Sequence, residues 1–242
     1  DVITAQSEIL RLGSLTGGNL EQKKRQQNLE GNIYKEVHAL AMEHAREIEK
    51  RYPKIQRRVS GYNLEDLLQP DACDLTKIIV GSEGTLVAVT EAKVKLVPLP
   101  KVKGLGVVHF KTLLQSMEAT VEALNLEPAA IELVDRMIIE RTKDSPGFSR
   151  KMNFVTGDPA AILLVEFFGE NSRDVLSKLE KLKKRMTRSN LSYNTTILMD
   201  PEDQANVWEI RKAGLGLLMG VTGDVKPLPF VEDTAVAPEK LP

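Results

Sequence analysis

Apolar residues along this chain keep two periods, and the places where one yields to the other mark its elements. Ile33, Val37, Leu40, Ala41 and Ile48 recur mostly at steps of three and four with charges between them. That spacing predicts a helix with one apolar face, ended by Pro53, which cannot continue it. Val175, Leu179, Leu182 and Met186 keep the same step and predict an amphipathic helix over Arg173–Arg188. Further helices are read over Leu113–Leu124 and Arg136–Thr142, and Pro201 opens another, at a position where proline is tolerated. Alternating or wholly apolar runs predict strands. These are Val2–Leu12 (one strand, or a hairpin bending near Gln6–Ser7), Val87–Val97, Leu105–Phe110, Ala129–Val134, Ala161–Phe168, Tyr193–Met199 and Phe230–Val236. Gly13–Asn19 reads as a loop by its glycine density, and Lys143–Pro159 reads as a loop because it has breaks and little periodicity.

Strands and helices alternating after Pro98 suggest a ferredoxin-like α+β layer, with helices on one face of an antiparallel sheet. The character of the chain changes across Pro98–Gly104, which sets the boundary between two domains. Composition narrows the function only slightly. With 33 Lys and Arg against 34 Asp and Glu, the net charge of −1 argues for no nucleic-acid partner. No apolar run reaches the ~18 residues that a membrane span needs. The single cysteine, Cys73, excludes an internal disulfide framework and fits a reducing compartment. It reads as an inert or exposed thiol, since nothing nearby would activate it.

The chemistry concentrates first in Gly81-Ser82-Glu83-Gly84-Thr85-Leu86. Two glycines around a Ser-Glu pair let a ligand approach the main chain closely, and they offer it backbone N–H groups and a hydroxyl. Upstream stand Gly61-Tyr62-Asn63-Leu64 and a short helix near Leu75–Val80. Downstream a strand ends in Leu96-Val97-Pro98. In this order the elements closely resemble the second half of the FAD-binding domain in the flavoprotein family typified by vanillyl-alcohol oxidase and p-cresol methylhydroxylase. The nearest branch holds D-lactate dehydrogenase, D-2-hydroxyglutarate dehydrogenase and glycolate oxidase. The chain departs from the pattern at Val87, where the family usually has glycine.

The resemblance implies a fold and a set of roles. Residues 1–100 would be the C-terminal part of a PCMH-type FAD-binding domain, and 101–242 a cap or substrate domain. Together they would form a fragment incomplete at both ends. Gly61, Tyr62, Gly81, Ser82, Glu83, Gly84, Thr85 and Leu86 would contact FAD. In Trp208-Glu209-Ile210-Arg211, Trp208 and Arg211 share a helix face, and the resemblance assigns Arg211 to the carboxylate of a 2-hydroxy acid. A planar guanidinium suits that task through two parallel bonds. Glu232 and Asp233, in a stretch like the family's E-D-x-A-V-P strand, would shape the substrate pocket. As strand neighbours they point to opposite faces, so they are not a paired acid–base site.

Other parts of that machinery are not in the sequence. The family's catalytic histidine lies in an H-x-G-D-G-N stretch, and its diphosphate loop is of the P-R-G-G-G-T kind; neither occurs here. The three histidines, His38, His44 and His109, read as structural or surface residues with no metal-ligand spacing. Gly214–Gly220 mimics a dinucleotide fingerprint, but it closes a helix where the fingerprint would open one. The expectation is therefore a piece of a bacterial FAD-dependent D-2-hydroxy-acid dehydrogenase, inactive alone, with a 4Fe-4S cluster elsewhere in the parent protein. Its partners would be the hydroxy acid and an acceptor such as a quinone, a cytochrome or an iron–sulfur module. It would be cytoplasmic, with peripheral contact at the inner membrane face and homodimer formation both compatible. The alternatives are a non-oxidative flavoprotein of the alkyl-glycerone-phosphate synthase type and a binding module without chemistry. The basic stretch Lys50–Arg58 reads as a solvated helix end.

Overall fold

The computed structural model describes residues 1–55, 61–220, 223–224 and 234–242. They divide into one unit built on Asp1–Leu96 with Val231–Ala235 and another on Val97–Phe230 with Val236–Pro242.

In the first unit β1 (Val2–Ile3) and β2 (Ile9–Leu10) form a hairpin, the second of the two arrangements that the sequence left open, with Ser7 in a left-handed conformation at φ 63°. The segment expected as a loop at Gly13 is ordered instead. There β3 (Ser14–Thr16) leads into α1 (Gly17–Lys24), with Gly17 at φ +50° supplying the bend. Glycine density hides this because the deciding apolar residues are sparse: Leu15, which pairs with Cys73, and the buried Leu20. The long helix is two, α2 (Leu29–Glu43) and α3 (Ala45–Arg51), broken at His44. Its buried face is Gly31, Tyr34, His38, Ala41 and Ile48, while Leu40 faces solvent. Asn28 caps α2 by accepting from the Gly31 amide at 2.9 Å.

A 3-10 turn at Leu64–Leu67 precedes β4 (Ala72–Asp74), which pairs antiparallel with β3, and then α4 (Thr76–Ile79). The strand expected over Val87–Val97 is reduced to β5 (Ala88–Val89), paired with β1. Alternation is enough for an extended chain, but a strand also needs a ladder partner, and beyond Val89 the described residues continue the pairing only at Thr90 and Glu91, which bond to Asp1. Val94, Leu96, Val97 and Leu99 are consequently exposed.

The second unit is a four-stranded antiparallel sheet. Its strands are β6 (Val102–Phe110), β7 (Ala130–Asp135), β8 (Ala161–Gly169) and β9 (Asn194–Leu198), in the order β7-β8-β6-β9. The helices are α5 (Leu113–Leu124), α6 (Arg136–Asp144), the single turn α7 (Pro146–Ser149), α8 (Ser172–Ser189) and α9 (Pro201–Met219). The longer helices start where the sequence provides an acceptor for unpaired N–H groups. Thr112 and Gln115 form a capping box for α5, Asp135 caps α6, Asn171 caps α8 and Asp200 caps α9. At the other end of α8, Asn190 takes the left-handed conformation that closes a helix.

The order and connectivity are those of a ferredoxin-like β-α-β-β-α-β layer, but helices cover both faces of the sheet, not one. On one face Val175, Leu179, Leu182 and Met186 of α8 and Ala119 and Ala123 of α5 pack on Val108, Phe110 and Val165. On the other, Ile139 of α6 and Val207 and Ile210 of α9 pack on Leu105, Val107, Ile162 and Leu164. The cause lies in β8: Ala161–Phe167 is buried without alternation, and a strand apolar on both sides requires two covers. Of the strand expected over Phe230–Val236, residues 230–233, including Glu232 and Asp233, lie outside the described residues. Residues 234–236 are not in a strand. Arg57 and Arg58 of the basic stretch also lie outside the described residues.

Candidate functional site

The glycine turn of the first unit has the backbone that its sequence calls for. Gly81, Glu83 and Gly84 have φ values of +82°, +50° and +73°. The turn is stitched internally: the Ser82 amide donates to Ile79 O at 3.1 Å, and the Thr85 amide to Ser82 O at 2.9 Å. The Thr85 hydroxyl donates to the same oxygen at 2.6 Å. The amides of Glu83 and Gly84 donate to no backbone or side-chain acceptor among the described residues. A side chain added at Gly84 would meet open space. Two unspent donors beside an open approach suit an anionic or carbonyl-bearing ligand.

The structure brings the upstream motif to this turn. Tyr62 and Thr85 share a hydroxyl hydrogen bond at 2.9 Å, and the Asn63 amide donates to Val80 O at 3.1 Å and Lys77 O at 3.3 Å. Gly61, at φ +78°, starts this segment. Beside the turn lies a cleft of about 370 Å³, whose apolar walls include Leu86, Val87, Leu75, Ile78, Ile33 and Val37. Seven of the eight residues expected to contact the cofactor thus sit in one hydrogen-bonded neighbourhood or open onto it; Gly61 adjoins it. Ser82 is the exception in exposure, being buried. Val87, the departure from the pattern, is a wall of the cleft.

In the second unit, Trp208 and Arg211 lie on α9 over the sheet face formed by β6, β8 and β7. Register places Glu132 opposite Leu164 and Glu166 opposite Ala130, so both carboxylates rise from that face. Arg211 Nε donates to Glu132 Oε2 at 3.0 Å, and its Nη2 approaches the same oxygen at 2.9 Å. Both side chains are about two-fifths exposed, at 42% and 38%. Glu166 is buried, and that burial raises its carboxyl above the usual range; the Lys103 ammonium and the Trp208 indole N–H oppose the shift. Lys103 in turn stands 5.4 Å over the Phe168 ring. Sequence reasoning missed Glu132, Glu166 and Lys103. The signal was available for Glu166, a lone acid within the most apolar strand.

The remaining titratable candidates serve the fold. Cys73 is in the core of the first unit, not exposed, and burial pushes its thiol up to about 11. His38 is buried between Lys24 Nζ at 3.1 Å and Gln69 O at 2.9 Å. With lysine as donor, its Nδ1 accepts and its Nε2–H donates. His109 is buried on β6, and desolvation lowers its pKa.

Residues 99–242 match the family of FAD linked oxidases, C-terminal domain. The chain is 30% identical over 223 residues to a D-2-hydroxyglutarate dehydrogenase of Pantoea ananatis, covering 88% of this chain and 22% of that protein. It is 28% identical over 187 residues to the glycolate oxidase protein GlcD of Bacillus subtilis, covering 76% and 35%. It is 26% identical over 149 residues to the mitochondrial D-lactate dehydrogenase [cytochrome] of Arabidopsis thaliana, covering 59% and 24%. The chain spans about a fifth to a third of the length of these relatives.

Proposed function

This chain belongs to the FAD-linked oxidases, whose C-terminal domain it carries over residues 99–242, and we propose that the enzyme it serves oxidises a D-2-hydroxy acid to the 2-oxo acid. In that reaction the C2–H bond breaks as hydride, and the hydroxyl proton goes to a base. FAD, when bound, takes up the hydride and its electron pair. In our reading the base lies outside this chain. The electrons pass on to an acceptor such as a quinone, a cytochrome or an iron–sulfur module.

In this reading the first unit supplies part of the FAD-binding domain. The Gly81–Leu86 turn, with Gly61 and Tyr62, would hold the cofactor through the unspent Glu83 and Gly84 amides and the open side of Gly84. The second unit supplies the substrate side. Arg211 orients the hydroxy acid by its carboxylate and Trp208 walls the pocket; Glu232 and Asp233, which lie outside the described residues, keep only the role that the resemblance gives them. Among the described residues no helix is long and apolar enough to cross a membrane; the contact at the inner membrane face in this reading is peripheral.

One observation carries the reading: a partly exposed arginine, held among the described residues by one carboxylate on its inner edge, on the same helix as Trp208. The test is Arg211→Lys in the full-length enzyme. Lysine keeps the charge and loses the fork. Hydrogen bonds between charged groups contribute about 1.5–3 kcal/mol, so kcat/KM for the acid should fall roughly ten- to a hundredfold, with flavin content unchanged. If the variant and the wild type discriminate a 2-hydroxy acid from its amide equally well, the assignment of Arg211 is wrong.

A further inference from the structure

The way Arg211 is held contains a second piece of information. A guanidinium has two edges that can grip a carboxylate: Nε with one terminal nitrogen, and the two terminal nitrogens together. Glu132 occupies the first edge with a single oxygen, Oε2, at 3.0 Å from Nε and 2.9 Å from Nη2. Nη1 has no hydrogen-bond or ion-pair partner among the described residues, so none of them takes the outer edge. Glu132 itself sits in mid-strand on β7, between register pairs that lock it to β8, so its position is set by the sheet ladder. Arginine carries about 2 kcal/mol of rotamer entropy, and a free one would lose much of that on gripping a ligand.

Resting on the reading that Arg211 takes the substrate carboxylate, we propose that Glu132 is a positioning residue for Arg211. It fixes the guanidinium through the inner edge and turns the outer edge toward the substrate. Two opposing effects follow. The Glu132 anchor saves the immobilisation of a long side chain on binding, whereas its negative charge weakens the attraction for another anion. Replacing Glu132 by alanine removes both. Replacing it by glutamine removes the charge and keeps an oxygen that can accept from Nε and Nη2. The difference between the two variants therefore isolates the anchor.

The experiment is steady-state kinetics on the full-length holoenzyme, comparing Glu132→Ala, Glu132→Gln and Arg211→Lys on a 2-hydroxy acid and its neutral amide. KM for the acid should be about two- to tenfold higher in Glu132→Ala than in Glu132→Gln, the range for re-ordering one rotamer-rich side chain. Their kcat values should agree within about twofold, as expected for binding lost equally from ground and transition states. On the amide, which takes no charged fork, the KM ratio should be about one. Equal KM values on the acid overturn the proposal, and so does an alanine defect that is as large on the amide, since that marks a merely structural role. Glu132 is partly exposed, and flavin content with a thermal melt identifies a misfolded variant; a Glu132→Ala protein that loses flavin while the Gln variant behaves as wild type also counts against a positioning role. Arg211→Lys separates the two claims. Unchanged acid–amide discrimination in that variant sinks the carboxylate reading and this one with it. Reduced discrimination there, with Glu132→Ala and Glu132→Gln alike, sinks only the role of Glu132.

Discussion

Gly104→Ala tests how α8 is seated on the sheet. Gly104 and Gly106 point from β6 toward α8, and they let its apolar row descend onto the strand. A Cβ at Gly104 would lie 2.5 Å from Val175 Cγ1, 2.8 Å from Leu179 Cδ1 and 3.0 Å from Met199 Sδ. Leucine and methionine can swing aside. Valine cannot, because a helix allows it essentially one χ1 rotamer, so the helix itself must shift. Overpacking of this kind costs about 1–3 kcal/mol. The lost flexibility of the unfolded chain returns about 0.4–1 kcal/mol, leaving roughly 1–2 kcal/mol of destabilisation. For a protein of this size that lowers Tm by about 2–8 °C. Gly106→Ala should cost less: its Cβ would meet Leu182 Cδ2 at 2.7 Å and Leu179 Cδ2 at 3.3 Å, both flexible ends. The assay is thermal unfolding followed by far-UV circular dichroism, with a double-mutant cycle through Val175→Ala. Removing Val175 Cγ1 should make Gly104→Ala milder by at least about 0.5 kcal/mol. A Gly104→Ala protein that melts at or above wild type, or below it by no more than Gly106→Ala does, would show that α8 is not seated through Gly104.

Three further outcomes are expected. Gly84→Ala puts an L-residue at φ +73°, which costs about 1–2 kcal/mol in the turn without any internal clash; Gly84→Val costs more, being β-branched. The flavin-to-protein absorbance ratio of the full-length enzyme should fall in that order while the chain stays folded, and full occupancy in Gly84→Val would remove the turn from the site. The raised carboxyl of Glu166 means that its neutral form is favoured in the native state. Its stabilising contribution is complete below the unfolded carboxyl pKa and is lost as pH rises through the folded one. Glu166→Gln should therefore gain Tm relative to wild type as pH rises above the ordinary carboxyl range, and a gap that narrows as pH rises would refute the assignment. Cys73, pushed up to about 11, carries about a hundredfold less thiolate at about pH 8 than an ordinary cysteine, besides being covered. Iodoacetamide should label it only on unfolding, and rapid labelling of the native protein would show that the core of the first unit is open.

The sequence by itself determined what local rules govern. The apolar row of α8 and the proline start of α9 can be read from spacing and from proline's φ, because each depends only on residues within a turn or two. The glycine turn was legible for the same reason: positive φ at Gly81 and Gly84 is a property of those residues. Tertiary structure decided what depends on partners distant in the chain. Val87–Val97 alternates like a strand, yet only Ala88 and Val89 find a ladder, on β1 at the far end of the unit's sequence. The second helical cover of the sheet follows from the unbroken burial of β8, which becomes a demand only once a sheet exists. The pairing of Arg211 with Glu132, 79 residues apart, is invisible to any periodicity. It arises because the register of β7 on β8 and the packing of α9 bring a strand carboxylate under a helix guanidinium, and long-range geometry of that kind is set by the closed core and not by any stretch of sequence.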